Sequence, residues 1–186
     1  SHPVSIITGS PGTGKTFCIK KLLEVFRGAA LIAPTGKAAI RMEEVTGRPA
    51  RTIHSFLSPL DGTLTKFKFC ASNPVQEGVI IVDEFSMVGT TLFASLLDAI
   101  TTGSTLILVG DADQLPSIDP GSILEDLIKS RIVPVTELVE LVRTKKDSSI
   151  AINAKKIHEG NTTLQTGSDF VWRKIDKEDA IIDDIL

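Results

Sequence analysis

The sequence predicts an α/β domain in which a mostly parallel sheet carries helices on both faces. Four short apolar runs recur along the 186 residues, and longer segments with helical spacing of apolar residues separate them. The runs are nearly continuous rather than alternating, which is typical of strands that are covered on both faces. Their repeated alternation with helices indicates a doubly wound arrangement.

The first two strand–helix pairs lie in the N-terminal third of the chain. Val4-Ser5-Ile6-Ile7-Thr8 predicts a strand, and a Gly-rich turn separates it from a predicted helix over 15–26. Residues 29–33 predict the second strand, which Pro34 ends, and a helix is predicted over 35–45. Both pairs have the strand-then-helix order of a parallel sheet.

The remaining elements continue this alternation. Further strands are predicted over residues 79–82 and 105–109. Helices are predicted over residues 89–100, 121–130 and 148–158. Near the C-terminus, a strand is predicted over 169–175 and a helix from 177 onward.

Residues 58–76 interrupt the alternation. Asp61-Gly62 is a turn signal, and residues 64–69 alternate between apolar and polar side chains with a period of two. The combination predicts a small β-hairpin inserted between the strand–helix units. From the residues alone, an ordinary surface hairpin and a functional hairpin explain this pattern equally well.

Composition limits the class of protein. Hydrophobic residues make up 42% and charged residues 23%, as in a globular domain with one core, and no apolar run reaches the about 20 residues of a membrane-spanning helix. Cys18 and Cys70 stand alone, so neither a disulfide framework nor a zinc site is predicted. The first residues lack a signal-peptide pattern, so we expect a protein of the reducing cytoplasm.

Charge is distributed unevenly, although the net charge is only -3. Residues 1–70 contain ten Lys or Arg and four Asp or Glu, whereas residues 71–186 contain ten and nineteen. Taken alone, this difference is best explained by chance variation in surface charge. The functional alternative is a basic face that attracts a polyanion such as nucleic acid.

The segment Gly9-Ser10-Pro11-Gly12-Thr13-Gly14-Lys15-Thr16 has the pattern of a phosphate-binding loop, and it lies between a predicted strand and a predicted helix. Glycines let backbone N–H groups converge on phosphate oxygens, and the helix N-terminus adds positive potential. Lys15 is predicted to reach the β- and γ-phosphates of ATP, and the Thr16 hydroxyl to coordinate Mg²⁺. The alternative is a Gly-rich turn without a ligand. The predicted nucleotide-binding residues are Gly9, Pro11, Gly12, Thr13, Gly14, Lys15, Thr16 and Phe17.

Two carboxylates follow the strand over 79–82, at the end where ligands bind in an open parallel sheet. Asp83 is predicted to hold Mg²⁺, and Glu84 to orient and deprotonate the attacking water. An exposed acidic turn would have the same sequence. The joint occurrence with the Gly-rich loop favours the catalytic interpretation.

Two further polar residues are candidates for the same site. Gln114 lies in Gly110–Pro116, after the strand over 105–109, and its amide is suited to sensing a γ-phosphate. Asp111 and Asp113 of this segment are equally suited to forming a turn. Arg143 is a candidate for stabilising charge in the transition state, with a solvated surface arginine as the alternative.

These segments together resemble superfamily 1 DNA helicases, most closely the RecD-like group. The Ala-Pro-Thr-Gly-Lys-Ala-Ala and Gly-Asp-x-Asp-Gln-Leu-Pro strings are more specific than the Gly-rich loop, which many NTPases share. The match spans residues 6 to about 160 and keeps the family's order. The matching segments are Gly9–Thr16, Ala33–Ala39, Thr52–His54, Val82–Met87, Gly110–Pro116 and Leu141–Arg143.

The resemblance implies a RecA-like P-loop NTPase fold and an ATP-dependent, Mg²⁺-dependent helicase motor that moves 5′ to 3′ on DNA. It also implies that Gln114 couples the state of the phosphate to the grip on DNA, and that Arg143 contacts the γ-phosphate. The residues that would line the single-strand path are Pro34, Thr35, Lys37, Thr52 and His54. His54 is alternatively a capped or core histidine.

The resemblance gives residues 58–76 the position of the family's pin, a subdomain that splits the duplex. Phe56, Phe67 and Phe69 are then candidates for stacking on bases or separating strands, and for Phe56 a position in the core is favoured over that role.

The chain departs from the family pattern in two respects. Arg143-Thr144 replaces the usual Arg-Gln, and no second RecA-like domain follows. We therefore expect residues 1–186 to be the first motor domain of a longer protein, with DNA, the second domain and subunits of a repair or conjugation complex as partners. The alternatives are another P-loop ATPase or a nucleotide kinase that does not translocate on DNA, and a degenerate domain that binds without turnover.

Overall fold

The computed structural model describes residues 3–60, 66–115, 117, 119–139 and 148–172. The chain divides into two units, residues 1–141 and residues 142–186. The larger unit contains the sheet. Its elements, in chain order, are β1 (Val4–Thr8), α1 (Lys15–Val25), β2 (Ala30–Ala33), α2 (Gly36–Thr46), β3 (Ala50–Thr52), α3 (Ile53–Leu57), β4 (Val79–Val82), a 3₁₀ turn (Phe85–Met87), α4 (Thr90–Ala99), β5 (Thr105–Gly110), α5 (Ile123–Ser130) and β6 (Val135–Glu137).

The six strands form one sheet in the order β3-β2-β4-β5-β1-β6, and each described pairing is parallel. The carboxyl ends of all six strands therefore lie along one edge of the sheet. The segments that follow β1, β4 and β5 become neighbours at this edge, because β5 lies between β4 and β1. This is the edge at which ligands bind in open α/β sheets.

Side chains of the central strands point alternately to two apolar clusters. On one face, Ile80 and Val82 pack in a cluster that includes residues of α3, α4 and α5. On the other face, Ile81 packs with residues of α1 and α2. Both faces of the sheet are thus covered by helices, and the predicted α/β fold class is confirmed.

The four predicted strands are confirmed to within one residue at each end, whereas two short strands escaped prediction. β3 and β6 have three residues each, and all three residues of β6 are exposed. Neither segment forms the long apolar run by which a buried strand is recognised. These edge strands are ordered by pairing with β2 and β1 rather than by burial of their own side chains.

The structure describes the segments of the inserted hairpin that lie before and after its predicted turn. Leu60 N–H donates to Lys66 O at 2.8 Å, and Lys68 N–H donates to Ser58 O at 2.8 Å, so the two segments run antiparallel. Phe67 and Phe69 are half-buried against the core, while the alternating lysines Lys66 and Lys68 are exposed. The predicted turn at Asp61-Gly62 lies outside the described residues.

Phe56 is buried in the core at 1% exposure, which confirms its assignment there. The two hairpin phenylalanines face the same core cluster, so their rings are directed to the protein rather than to open solvent. The sequence pattern alone did not distinguish this packing from an exposed, base-stacking position.

The smaller unit contains α6 (Ser149–His158), as predicted. The Asp169 carboxylate accepts hydrogen bonds from Ser148 Oγ at 2.6 Å and from Ser149 N–H at 3.0 Å, and so caps the helix. The strand predicted over 169–175 is not formed by residues 169–172, where Gly167 and Phe170 make an isolated bridge. Its remainder and the helix from 177 onward lie outside the described residues. No helix in the described ranges is long and apolar enough to cross a membrane.

Candidate nucleotide site

The Gly-rich segment forms a loop from the end of β1 to the start of α1. Gly14 has φ 95° and directly precedes the first residue of α1, a conformation that favours glycine. Thr13 N–H and Thr13 Oγ1 both donate to Ser10 O, at 3.3 and 2.8 Å, and this closes the loop. A Cβ on Gly9 would lie 2.6 Å from Leu138 O, so a larger residue does not fit there. The N-terminal amides of α1 are thus presented to the loop.

Lys15 lies at the centre of this loop. Its Nζ donates to Gly9 O and, at 3.2 Å, to Ser10 O, and it is 4.0 Å from Asp111 Oδ2. Its side chain is only 14% exposed. A cation held here is suited to binding phosphate oxygens, because its charge is only weakly screened by water.

The other predicted nucleotide residues surround Lys15 in the sequence and differ in exposure. Thr13 is buried, and Gly12 and Thr16 are half-buried. Pro11 is exposed, and Phe17 is 63% exposed with Lys21 Nζ 5.7 Å above its ring. The exposed ring of Phe17 is therefore accessible to a ligand.

Asp83 follows β4 and is 8% exposed. Its N–H donates to Ile32 O at 2.9 Å, which fixes the residue beside the end of β2. Burial, reinforced by the charge of Glu84, raises the pKa of Asp83 from 3.8 to about 6, and the charges of Lys15 and Arg41 partly oppose this rise. A buried carboxylate is costly unless a cation balances it, and Asp83 is therefore suited to a metal.

Glu84 adopts a left-handed backbone conformation, with φ 51° and ψ 39°. This region is costly for a residue with a Cβ, at roughly 1–2 kcal/mol. Such strain is concentrated at functional sites, where the position of a side chain matters more than stability. Glu84 is half-buried at the carboxyl edge, next to Asp83.

Asp111 lies at the candidate site, and the sequence analysis offered turn formation as an equal explanation for it. It does form the turn, because Oδ1 accepts from Asp113 N–H at 3.0 Å. Its second oxygen, Oδ2, faces Lys15 and accepts from Gln114 Nε2 at 3.4 Å. Asp111 is 1% exposed and directly follows a buried strand, as Asp83 does. That shared position was the signal that could have identified it.

The described side chains at this site could bind Mg²⁺ together with phosphate oxygens and water, but they do not form a complete metal site by themselves. In the described ranges, no group of three or more His, Cys, Asp or Glu side chains could hold a metal ion. Mg²⁺ usually retains water and binds one or two protein ligands together with phosphate oxygens. The Thr16 hydroxyl and the Asp83 carboxylate are ligands of that kind.

Most of the predicted DNA residues lie together at the ends of β2 and β3. Ala33 pairs with Thr52 in the sheet, so Pro34 and Thr35 are next to Thr52. The Thr35 hydroxyl accepts from Ala38 N–H at 3.2 Å, and the Thr52 hydroxyl accepts from Ser55 N–H at 3.0 Å. Both hydroxyls therefore cap helices, although each retains the capacity to donate a hydrogen bond.

The other two predicted DNA residues have different surroundings. Lys37 is exposed in the first turn of α2. His54 is half-buried, and its ring centroid lies 5.9 Å from that of Phe67 in the hairpin. Arg143 lies outside the described residues.

The chain is similar in sequence to several known proteins. A family model described as an AAA domain matches residues 1–173. The RecD subunit of the RecBCD enzyme of Mycolicibacterium smegmatis is 37% identical over 156 residues, which are 69% of this chain and 28% of that protein. The ATP-dependent RecD2 DNA helicase of Deinococcus radiodurans is 39% identical over 148 residues, 76% of this chain and 20% of that protein. The chain belongs to this AAA-domain family and is similar to RecD proteins.

The fold of this RecD-like chain also matches a solved helicase. The Pif1 helicase of Candida albicans superposes with a TM-score of 0.65 at 26% identity, covering 87% of this chain and 42% of that one. The RecA-like P-loop fold implied by the resemblance is thereby confirmed. Membership of an AAA-domain family implies nucleotide binding. The RecD-like chain spans less than a third of the length of the two curated relatives.

Ser86, in the RecD-like segment Val82–Met87, offers a test of the local structure. Among the described side chains, its hydroxyl is the buried group without a hydrogen-bond partner. Such a group costs about 1–3 kcal/mol, so we expect Ser86→Ala to leave the free energy of unfolding unchanged or raise it by about 1 kcal/mol. Urea unfolding measures this difference.

Ser130→Ala is the matched control for Ser86. Ser130 Oγ donates to Leu127 O at 2.8 Å and accepts from Ile132 N–H at 3.3 Å, so its loss should lower the free energy of unfolding. A loss of more than about 1 kcal/mol in Ser86→Ala would contradict the structure, because it would reveal a partner for the buried hydroxyl.

Proposed function

We propose that residues 1–186 are the first RecA-like motor domain of an ATP-dependent, RecD-like DNA helicase that moves 5′ to 3′. The observation that carries this proposal is the convergence of Lys15, Asp83 and Asp111 at the carboxyl edge of one sheet. The residues predicted to hold DNA follow the two neighbouring strands at the same edge. A change at the phosphates can therefore act on adjacent DNA contacts.

In this proposal, each residue of the nucleotide half of the site has a distinct role. Lys15 binds the β- and γ-phosphates of ATP, and the amides of the loop bind the remaining oxygens. Thr16 and Asp83 would hold Mg²⁺, which neutralises charge on the phosphates when bound. Glu84 orients the attacking water and accepts its proton. Gln114 and Arg143 respond to the γ-phosphate.

The DNA half of the site uses contacts that do not read sequence. Pro34, Thr35 and Thr52 lie at strand ends next to helix N-termini, where hydroxyls and amides can bind DNA phosphates. Lys37 adds a positive charge. We propose that the hairpin over 58–76 is the pin that separates the strands, with its lysines facing the nucleic acid.

The proposed helicase activity also depends on parts of the protein beyond residues 1–186. The two relatives are several times longer than the matched region, and one of them is named as a subunit of RecBCD. We propose a second RecA-like domain in the same polypeptide and, in a repair or conjugation complex, further subunits. The proposed compartment is the cytoplasm, where free thiols such as those of Cys18 and Cys70 stay reduced.

Stimulation by DNA tests the proposal in the full-length protein. We expect single-stranded DNA to raise the rate of phosphate release from ATP, because the DNA track and the phosphate site share one edge of the sheet. Lys37→Ala should raise the DNA concentration needed for half-maximal stimulation by about 5–10-fold, as for loss of one charged contact. Lys20→Ala, an exposed lysine of α1, is the control and should match the unaltered protein.

A P-loop enzyme that does not translocate predicts a different outcome. A nucleotide kinase would ignore single-stranded DNA and transfer the γ-phosphate to a small acceptor. ATP turnover that does not respond to DNA would therefore overturn the helicase assignment while leaving the nucleotide site intact.

A further inference from the structure

The phosphate-binding loop is joined directly to the loop that follows β5. Ser10 Oγ donates to Asp113 Oδ2 at 3.3 Å, between residues 103 positions apart in the chain. The two loops also meet through Lys15 and Asp111. Neither Ser10 nor Asp113 was among the residues predicted to act in the site.

Asp113 belongs to a turn that holds Gln114. Its N–H donates to Asp111 Oδ1 at 3.0 Å, and Gln114 N–H donates to Asp111 O at 3.3 Å. The Gln114 side chain donates to Asp111 Oδ2 at 3.4 Å. These three bonds make the turn one unit, so a displacement of Asp113 also displaces Gln114.

Ser10 is equally bound into the phosphate-binding loop. Its carbonyl oxygen accepts from Thr13 N–H, Thr13 Oγ1 and Lys15 Nζ. Lys15 is the cation proposed to bind the triphosphate. A shift of its ammonium towards phosphate oxygens changes the donors at Ser10 O and hence the position of Ser10.

We propose that Ser10 and Asp113 are positioning residues that transmit triphosphate binding from the loop to Gln114. The inference rests on the proposed function, because it requires ATP at Lys15. The link runs from Lys15 through the Ser10 carbonyl to the Ser10 hydroxyl, across to Asp113, and through the turn to Gln114. Through this link, binding of the γ-phosphate changes the position of Gln114 in addition to any direct contact between the two.

Hydrogen exchange of the 186-residue chain tests this link without requiring turnover. We expect a nonhydrolysable ATP analogue with Mg²⁺ to slow exchange in residues 9–16 and in residues 110–115. In Ser10→Ala and Asp113→Ala, slowing should persist in 9–16 but fall by about threefold or more in 110–115, the size of one modest hydrogen bond. Asp126→Ala, an exposed carboxylate of α5, is the control and should match the unaltered chain.

Two further variants and a double variant separate a link from a merely structural role. Ser10→Thr retains a hydroxyl and Asp113→Asn retains an acceptor oxygen, so both should restore slowed exchange in 110–115. Because the two side chains act through one bond, the double alanine variant should show no larger loss than the stronger single variant.

The outcomes distinguish this inference from the proposed function. Additive losses in the double variant, or undiminished slowing in 110–115 of either alanine variant, would overturn the link alone. No slowing in residues 9–16 of the unaltered chain would overturn the nucleotide site itself, and the link with it.

Discussion

Lys15→Ala is expected to lower ATP turnover by the full-length protein by about 10²–10³-fold or more, the effect of removing one strong donor to developing phosphate charge. The Lys15 ammonium is 4.0 Å from Asp111 Oδ2, and the Lys15 side chain is 14% exposed. Alanine removes the contact to the phosphates and leaves the Asp111 carboxylate without this partner. Both effects act against binding of a polyanion, since an unbalanced negative charge remains at the site.

Two measurements check this result. Phosphate release reports turnover, and calorimetry with a nonhydrolysable analogue reports binding. Lys15→Arg retains the charge on a longer, planar group, and we expect it to recover little, because the loop closes around a compact ammonium. Lys20→Ala is the matched control on the same helix, since Lys20 is exposed to solvent. Turnover at the unaltered rate in Lys15→Ala would refute the phosphate-site assignment.

The sheet was predictable where strands are buried and not where they are held by pairing alone. β4 is a run of four aliphatic residues, so its identity and depth follow from hydrophobicity. β6 is Val135-Thr136-Glu137, which is too short and too exposed to form the apolar run of a buried strand. It is a strand because β1 offers an unpaired edge beside it. The reason that β6 is a strand therefore lies in the neighbouring strand β1 and not in the sequence of β6 itself.

The positions of the residues at the candidate site were likewise predictable only in part. The placement of Lys15 and Asp83 at the carboxyl edge of the sheet was predictable, because each residue follows a recognisable strand at a fixed spacing. The role of Asp111 depends on the order of strands, since β5 must lie beside β1 for Asp111 to reach Lys15. A single sequence does not state that order. The contact of Ser10 with Asp113 depends on it as well.

Two features of single residues also escaped prediction. Glu84 has a positive φ, a conformation usually signalled by Gly or Asn. Thr35 and Thr52 were selected as DNA contacts, and the structure shows that each hydroxyl also caps a helix. The capping role was readable, because threonine before a helical segment is a common start signal.

Asp83→Asn is expected to stabilise the fold while removing function. The folded-state pKa of Asp83 is raised to about 6, whereas its ordinary value is 3.8, with burial as the main cause. Between these two values the folded chain binds the proton and the unfolded chain has lost it. The free energy of unfolding therefore falls as pH rises through this window and stays lowered above it.

Asparagine is close to aspartate in shape and carries no charge. The free energy of unfolding of Asp83→Asn therefore does not fall as pH rises through this window. Above pH 6 without Mg²⁺, we expect Asp83→Asn to be more stable than the unaltered chain by roughly 1–3 kcal/mol, from a shift of about two pKa units. As the pH falls below 3.8 the difference should shrink towards zero, because Asp83 becomes protonated in the unfolded chain as well as in the folded chain. Urea unfolding at pH 3.5, 5 and 8 measures it, with the exposed Asp126→Asn as control.

Mg²⁺ and a nucleotide analogue should reverse the order of stability at pH 8. A bound cation balances the buried Asp83 carboxylate and stabilises the folded state by mass action, whereas the asparagine amide is a weak ligand for Mg²⁺. The unaltered chain should thus gain stability from Mg²⁺ with the analogue, and Asp83→Asn should gain much less. An asparagine variant that is less stable at pH 8 without Mg²⁺ would show that the carboxylate is stabilised by the protein alone. In that case Asp83 would be a structural acid, and the metal would have to be held elsewhere.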